Sequence, residues 1–319
     1  MKKYIQIIII LALTIIVAVS AFLLPKNNKD YSKEGFYFDT YISIKVYSAK
    51  DSKQLDECLK LCERYEKLLS RTLEGSDIYR INNSCGKPVE VDPETYYLLK
   101  RALGFCEETN GKVDITIAPL VDEWGFSDKT YSQTEKPDDE TINKLVENID
   151  YKNIELSENN IVKLKNPDAK IDLGFIAKGY IADKLKEYLI SQDVKSAVIS
   201  LGGNVLVIGN KPDGSPFAVG IKDPVNTEDI SSVIYATDES VVTSGTYERF
   251  VEYGGIRYHH ILDTETGYPV NNDVLSVTIE SQSSLEGDAL STICLILGEE
   301  ESKNILKKYN AKANFIYEE

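Results

Sequence analysis

The sequence predicts an α+β fold, a mixed and largely antiparallel sheet with packed helices, and three observations carry that expectation. Strand-like and helix-like segments come in groups rather than in strict alternation. Alternating or apolar runs follow one another from Ser196 to Asp263 and read as mostly antiparallel strands. Two stretches repeat apolar residues at helical spacing, one through Leu55, Leu59, Cys62, Tyr65 and Leu69, the other through Ile176, Tyr180, Ile181, Leu185, Tyr188 and Leu189.

In chain order, Lys2-Lys3 precede an apolar run from Ile5 to Leu24, about the length that spans a bilayer. Residues 1–24 therefore read as a targeting segment outside the fold. The two lysines favour an N-in orientation, which puts the rest of the chain on the extracytoplasmic side of the cell membrane. An uncleaved anchor is the favoured form, with Val19-Ser-Ala21 as the alternative cleavage site. Residues 25–34 are polar and read as a linker, leaving 35–319 as the folded domain.

Phe36 to Tyr47 alternates as one strand, and Ser52 to Ser70 follows as an amphipathic helix. Asp77 to Asn82 is short, helical or extended. Pro93 to Thr109 makes a second helix, closed by Asn110-Gly111. A polar loop from Ser127 to Asp139 leads to the helix Glu140–Asn148. The runs Ile161–Lys165 and Ala169–Asp172 alternate as strands do. Two apolar strands surround Gly202-Gly203, which serves either a plain hairpin or a close backbone approach. The chain closes with the strand Val274–Glu280, the helix Leu285–Leu297 stopped by Gly298, a short helix near Ser302–Tyr309 and a last strand.

Charge excludes one class of function. With 36 Lys and Arg against 51 Asp and Glu the net charge is −15, so no basic face is available for a nucleic-acid backbone. Bound phosphates would need local devices such as a helix N-terminus, a few lysines or a divalent metal. The five cysteines, Cys58, Cys62, Cys85, Cys106 and Cys294, form no metal-binding C-x-x-C pair and read as buried thiols. No G-x-S-x-G elbow, P-loop or dinucleotide-binding glycine fingerprint is present.

Three clusters could carry chemistry. Asp172-Leu-Gly-Phe-Ile-Ala-Lys-Gly-Tyr180 compresses a strand end, a glycine turn and a helix start. Such a junction offers free N–H groups and, with Lys178, a positive charge to a phosphate; an ordinary strand–turn–helix corner has the same pattern. Gly287-Asp-Ala-Leu-Ser-Thr292 puts Asp288 and Thr292 four apart on one helical face, where both oxygens can reach one Mg²⁺. A simple N-terminal cap would also use Asp there. The only two histidines, His259 and His260, are adjacent, so in a strand at most one faces a given pocket. That one suits proton transfer or a structural role.

These clusters do not stand alone. Phe38-Asp-Thr40, Gly111-Lys-Val-Asp114, Asp172 to Tyr180, Leu201-Gly-Gly-Asn204, Gly220-Ile-Lys-Asp-Pro224, Thr243-Ser-Gly-Thr-Tyr-Glu-Arg249, His259-His-Ile-Leu-Asp263 and Gly287 to Thr292 occur in this order. In that order the chain resembles the ApbE family of FAD:protein FMN transferases, over roughly residues 36–318. The resemblance implies an Mg²⁺-dependent enzyme that splits the FAD pyrophosphate and moves FMN onto a threonine hydroxyl of a partner protein, releasing AMP. It further implies that Asp288 and Thr292 hold the metal, assisted by the Phe175 carbonyl. The segments at Phe38, Lys112, Val113, Asp114, Asp172 and Lys178 would hold the flavin and adenosine parts of FAD. His260, with Asp288 as the fallback, would act as the base. An exported or membrane redox protein, such as an Rnf- or Nqr-type subunit or another FMN-binding domain, would be the acceptor. Two positions depart from the family pattern: Phe38 stands for the usual methionine and Phe175 for a small residue.

Overall fold

The computed structural model describes residues 29–127 and 135–318. The anchor expected over residues 1–24 lies outside the described residues, as does part of the loop expected between Ser127 and Asp139. Among the described residues no helix is long and apolar enough to cross a membrane.

A seven-stranded antiparallel sheet organises the chain. Its strands are β1 (Tyr31–Tyr37), β2 (Thr40–Val46), β6 (Ala197–Leu201), β7 (Asn204–Ile208), β10 (Ser240–Gly245), β13 (Val274–Ser281) and β14 (Lys312–Tyr317), paired in that order. Alternation sets one buried face: Ile42, Ile44 and Val46 from β2 join Ala197, Ile199 and Leu201 from β6. Against that face pack α1 (Leu55–Leu69), α6 (Ala177–Ser191) and α7 (Ser284–Lys308).

Smaller elements complete the fold. The helices α2 (Asp77–Asn82), α3 (Pro93–Glu108), α4 (Ala118–Glu123) and α5 (Asp139–Val146) come before the sheet of β3 (Val89–Glu90), β5 (Ile161–Leu164) and β4 (Ile154–Ser157) or interleave with it. Two hairpins, β8 (Phe217–Lys222) with β9 (Ile230–Ala236) and β11 (Phe250–Tyr253) with β12 (Ile256–His259), extend from the main sheet. A satellite core under β11 gathers Leu120, Trp124, Ile142, Val251 and Leu262, and the Trp124 indole donates to the Gly267 carbonyl at 2.8 Å.

Three expectations need correction. Phe36 to Tyr47 is a hairpin, not one strand: Phe38 (φ 54) and Asp39 (φ 60) take left-handed conformations, and Tyr37 pairs with Thr40. Two successive positive φ values make the two-residue turn whose twist matches antiparallel strands. Because β1 reaches back to Tyr31, the expected linker 25–34 loses its last residues to the sheet. Ala169–Asp172 is not a strand and makes only an isolated bridge, Lys170 with Ile117. The closing helices behave as expected: α7 breaks at Gly298, where φ 75 and ψ 175 cannot continue a helix. The Gly111 amide bonds back to the Cys106 carbonyl at 2.8 Å and closes α3.

Candidate active site

One cavity of about 910 Å³ opens beside the main sheet, and every site residue singled out in the sequence lines it: Phe38, Lys112, Val113, Asp114, Asp172, Phe175, Lys178, His260, Asp288 and Thr292. Its wall is assembled from turns. The β1–β2 turn supplies Phe38, the segment leading into α6 supplies Asp172 to Lys178, and the β6–β7 turn supplies Gly202 and Gly203. Thr243 and Ser244 come from β10, while the first turns of α7 supply Asp288 and Thr292.

The β6–β7 glycines are a close-approach site as well as a hairpin. Gly202 has φ +67, and a Cβ on it would lie 2.7 Å from Thr40 Oγ1; one on Gly203 would lie 2.8 Å from the Thr243 carbonyl oxygen. Both glycines let this turn lie against its neighbours, β2 and β10.

Asp288 is the most buried acid in the cavity wall, 3% exposed. Its Oδ2 accepts from the Gly179 amide at 2.8 Å, and Lys178 Nζ stands 3.7 Å from Oδ1. Burial pushes its carboxyl above the ordinary range, opposed by the Lys178 charge and the Gly179 hydrogen bond. Gly179 is the third residue of α6, so its amide has no acceptor within the helix, and Asp288 supplies one. Phe175 lies just before the helix, outside its hydrogen-bond ladder. Thr292, one turn along α7, has Oγ1 3.4 Å from Ser244 Oγ.

Asp288, Thr292 and Phe175 line the same cavity and can offer it hard oxygen donors: a carboxylate, a hydroxyl and a backbone carbonyl. Among the described residues no group of three or more His, Cys, Asp and Glu is placed to hold a metal. The set therefore suits an ion that keeps water or substrate oxygens in its shell, as Mg²⁺ does. Lys178, beside Asp288, supplies positive charge where such an ion would supply more.

The histidines divide as their adjacency requires. His259 turns away from the cavity, its Nε2 donating to the Val270 carbonyl at 3.1 Å. His260 lines the cavity, and its Nδ1 donates to the Arg249 carbonyl at 3.1 Å. A carbonyl can only accept, so Nδ1 carries the proton and Nε2 is left with a free lone pair. Part of the ring opens onto the cavity, but protein crowds its other sides. Burial, helped by the Arg249 charge, holds its pKa well below the usual 6.5, at about 3. The imidazole is neutral near pH 7.

Two acids expected at the cofactor site are also held by the protein itself. Asp172 Oδ1 accepts from the Gly174 amide at 2.6 Å and Oδ2 from Arg71 Nε at 2.8 Å. Asp114 accepts from the Thr116 amide (2.8 Å), the Thr116 hydroxyl (2.7 Å) and the Tyr151 amide (2.7 Å). Each shapes the wall it lines. Lys112 reaches Glu265 at 2.9 Å, and Phe175 stacks edge-on against Phe105 with ring centres 6.3 Å apart.

Three residues escaped the sequence reading. Arg71 bridges Asp172 to Asp122, where its two terminal nitrogens reach the carboxylate at 2.8 and 3.1 Å. Nothing in its local sequence marks it. Glu248 also lines the cavity; its side chain is open to solvent there, and the protein crowded around it raises its carboxyl pKa, with the Asp288 charge adding and Lys178 opposing. It sits inside the quoted segment Thr243–Arg249, which was its signal. Asp183 caps α7 from the neighbouring helix, and its signal was the four-residue step from Gly179.

Comparison with known proteins agrees with the order of these segments. The ApbE family profile matches residues 38–316. The chain is 34% identical over 310 residues to the FAD:protein FMN transferase of Treponema pallidum, covering 91% of this chain and 85% of that one. A relative of the same name from Klebsiella pneumoniae is 34% identical over 285 residues, covering 88% and 87%. Among solved structures, the ApbE protein of Thermotoga maritima superposes with a TM-score of 0.83 at 35% identity, covering 91% and 94%. The flavin transferase ApbE of Vibrio cholerae superposes with a TM-score of 0.81 at 27% identity, with the same coverage. The chain belongs to the ApbE family, a family of transferase enzymes.

Proposed function

We propose that this enzyme transfers FMN from FAD to a threonine hydroxyl of a partner protein, using Mg²⁺ and releasing AMP. One observation carries the reading: a neutral histidine with a free Nε2, the buried Asp288 carboxylate, the Thr292 hydroxyl and a lysine line one cavity. Asp288, Thr292 and the Phe175 carbonyl would hold the metal. Bound there, Mg²⁺ supplies charge neutralisation for the pyrophosphate oxygens.

The chain's own groups divide the remaining work. His260 Nε2 takes the proton of the attacking hydroxyl. Its proton affinity, low in the free protein, rises when anionic phosphates stand beside it. The new bond joins the hydroxyl oxygen to the FMN phosphorus, and the bond to the bridging oxygen breaks, so that oxygen leaves with AMP. Lys178 adds positive charge at the start of α6, where phosphate oxygens are favoured. Phe38, Lys112 and Val113 bound the rest of the cavity and leave room for the larger parts of FAD.

The sequence of residues 1–24 supports a membrane-anchored enzyme facing the extracytoplasmic side, where the acceptor would be an exported or membrane redox subunit of the Rnf or Nqr type. The test is FAD turnover by the full chain with Mg²⁺, with EDTA, and with or without an acceptor domain. AMP release that needs both metal and acceptor supports transfer. Equal release without acceptor points to hydrolysis, and FAD left intact under every condition overturns the reading.

A further inference from the structure

Helix α7 carries both Asp288 and Thr292, and its first turn is held from outside. Asp183, on α6, accepts from the Ser284 amide at 2.8 Å through Oδ1. Its Oδ2 accepts from the Leu285 amide at 3.0 Å and from Ser283 Oγ at 2.8 Å. Asp183 lies four residues beyond Gly179, on the same face of α6. The Gly179 amide in turn donates to Asp288. A carboxylate of α6 thus holds amides of α7, while a carboxylate of α7 holds an amide of α6.

The contact has no slack, because a Cβ on Gly179 would lie 2.1 Å from the Ser284 carbonyl oxygen. Attachment of α7 to the sheet does not depend on Asp183. Ser284 Oγ donates to Asn204 Oδ1 at 2.7 Å and accepts from Ser240 Oγ at 2.9 Å, and Ser283 Oγ also accepts from the Glu286 amide at 3.3 Å. What Asp183 adds is the placement of α7 relative to α6. That placement decides where Asp288 and Thr292 stand relative to Lys178 and the Phe175 carbonyl. Asp183 itself is not part of the cavity wall.

We infer that Asp183 is a positioning residue which, by capping α7 from α6, fixes Asp288 and Thr292 for a divalent cation; this rests on the Mg²⁺ reading above. Removing a group that orients metal ligands commonly lowers metal affinity about 10- to 100-fold.

The test titrates Mg²⁺ into the full chain and its D183A and D183N variants by calorimetry. FAD affinity in EDTA and metal-free unfolding are measured alongside. The expected result is Mg²⁺ binding weakened about 10- to 100-fold in D183A and by less in D183N, whose amide oxygen still accepts. FAD affinity in EDTA stays near that of the unsubstituted chain. If D183A does not fold, D183N, which keeps an acceptor oxygen, carries the test with a smaller weakening in the same direction. Undiminished Mg²⁺ binding in the folded variants overturns the inference alone. Parallel loss of Mg²⁺ and FAD binding assigns Asp183 a merely structural role and also overturns it. An unsubstituted chain without any Mg²⁺ response overturns the metal reading itself.

Discussion

Asp288 Oδ2 accepts a hydrogen bond from the Gly179 amide at 2.8 Å across the contact between α6 and α7. That bond orients the buried carboxylate and, with the bonds of Asp183, ties the two helices together. It exists because residue 179 has no side chain.

Gly179→Ala should therefore fail on sterics. The added Cβ would lie 2.1 Å from the Ser284 carbonyl oxygen and 2.7 Å from Asp288 Cβ, and backbone cannot move aside cheaply. Such overpacking costs about 1–3 kcal/mol. Denaturant unfolding should report that loss, and transfer activity should fall further than stability because Asp288 is displaced.

Arg71→Ala should loosen the turn from Asp172 to Phe175. It leaves Asp172 and Asp122 without their shared cation, at a cost of about 1.5–3 kcal/mol for a charged hydrogen bond. KM for FAD should rise more than kcat falls. Arg71→Lys should not rescue it, since one ammonium cannot reproduce the fork that bridges two carboxylates. Steady-state kinetics with both variants check this.

His260→Gln should lower kcat about 10²- to 10⁴-fold, the usual worth of a positioned base. The sign of its pH effect follows from its depressed pKa. The unfolded chain binds a proton near 6.5 and the folded one only near 3. Stability from the neutral imidazole is thus fully present above 6.5 and is lost as pH falls towards 3. In the free enzyme no ionisation of His260 should appear between pH 5 and 8 in an NMR titration of its ring.

Phe175→Ala should preserve the response to Mg²⁺, because only the Phe175 carbonyl is assigned to the metal. The ring packs on Phe105, so stability should drop by up to about 3 kcal/mol. Calorimetric Mg²⁺ titration and thermal unfolding separate the two effects.

Much of this architecture was legible because periodicity and local chemistry agreed. The later strands of the main sheet, the break at Gly298 and the shared helical face of Asp288 and Thr292 all follow from spacing. The β1–β2 hairpin did not, because Phe38-Asp39 takes a turn usually marked by Asn-Gly and the alternation on each side runs on as one strand. Left-handed φ at a non-glycine residue is the kind of strain that collects at functional sites, and Phe38 lines the cavity. Ala169–Asp172 kept a strand pattern but found only one bridge partner. Asp172 and Asp114 line the cavity, but their partners Arg71 and Tyr151 are distant in sequence, so the sequence could not show what holds these carboxylates in place.

Flavin transfer is tested most directly by the intact mass of an acceptor domain after incubation with the full chain, FAD and Mg²⁺. The expected result is a mass gain equal to one FMN, absent with Asp288→Ala. FAD consumed with no gain on the acceptor, or the same gain with Asp288→Ala, would contradict it.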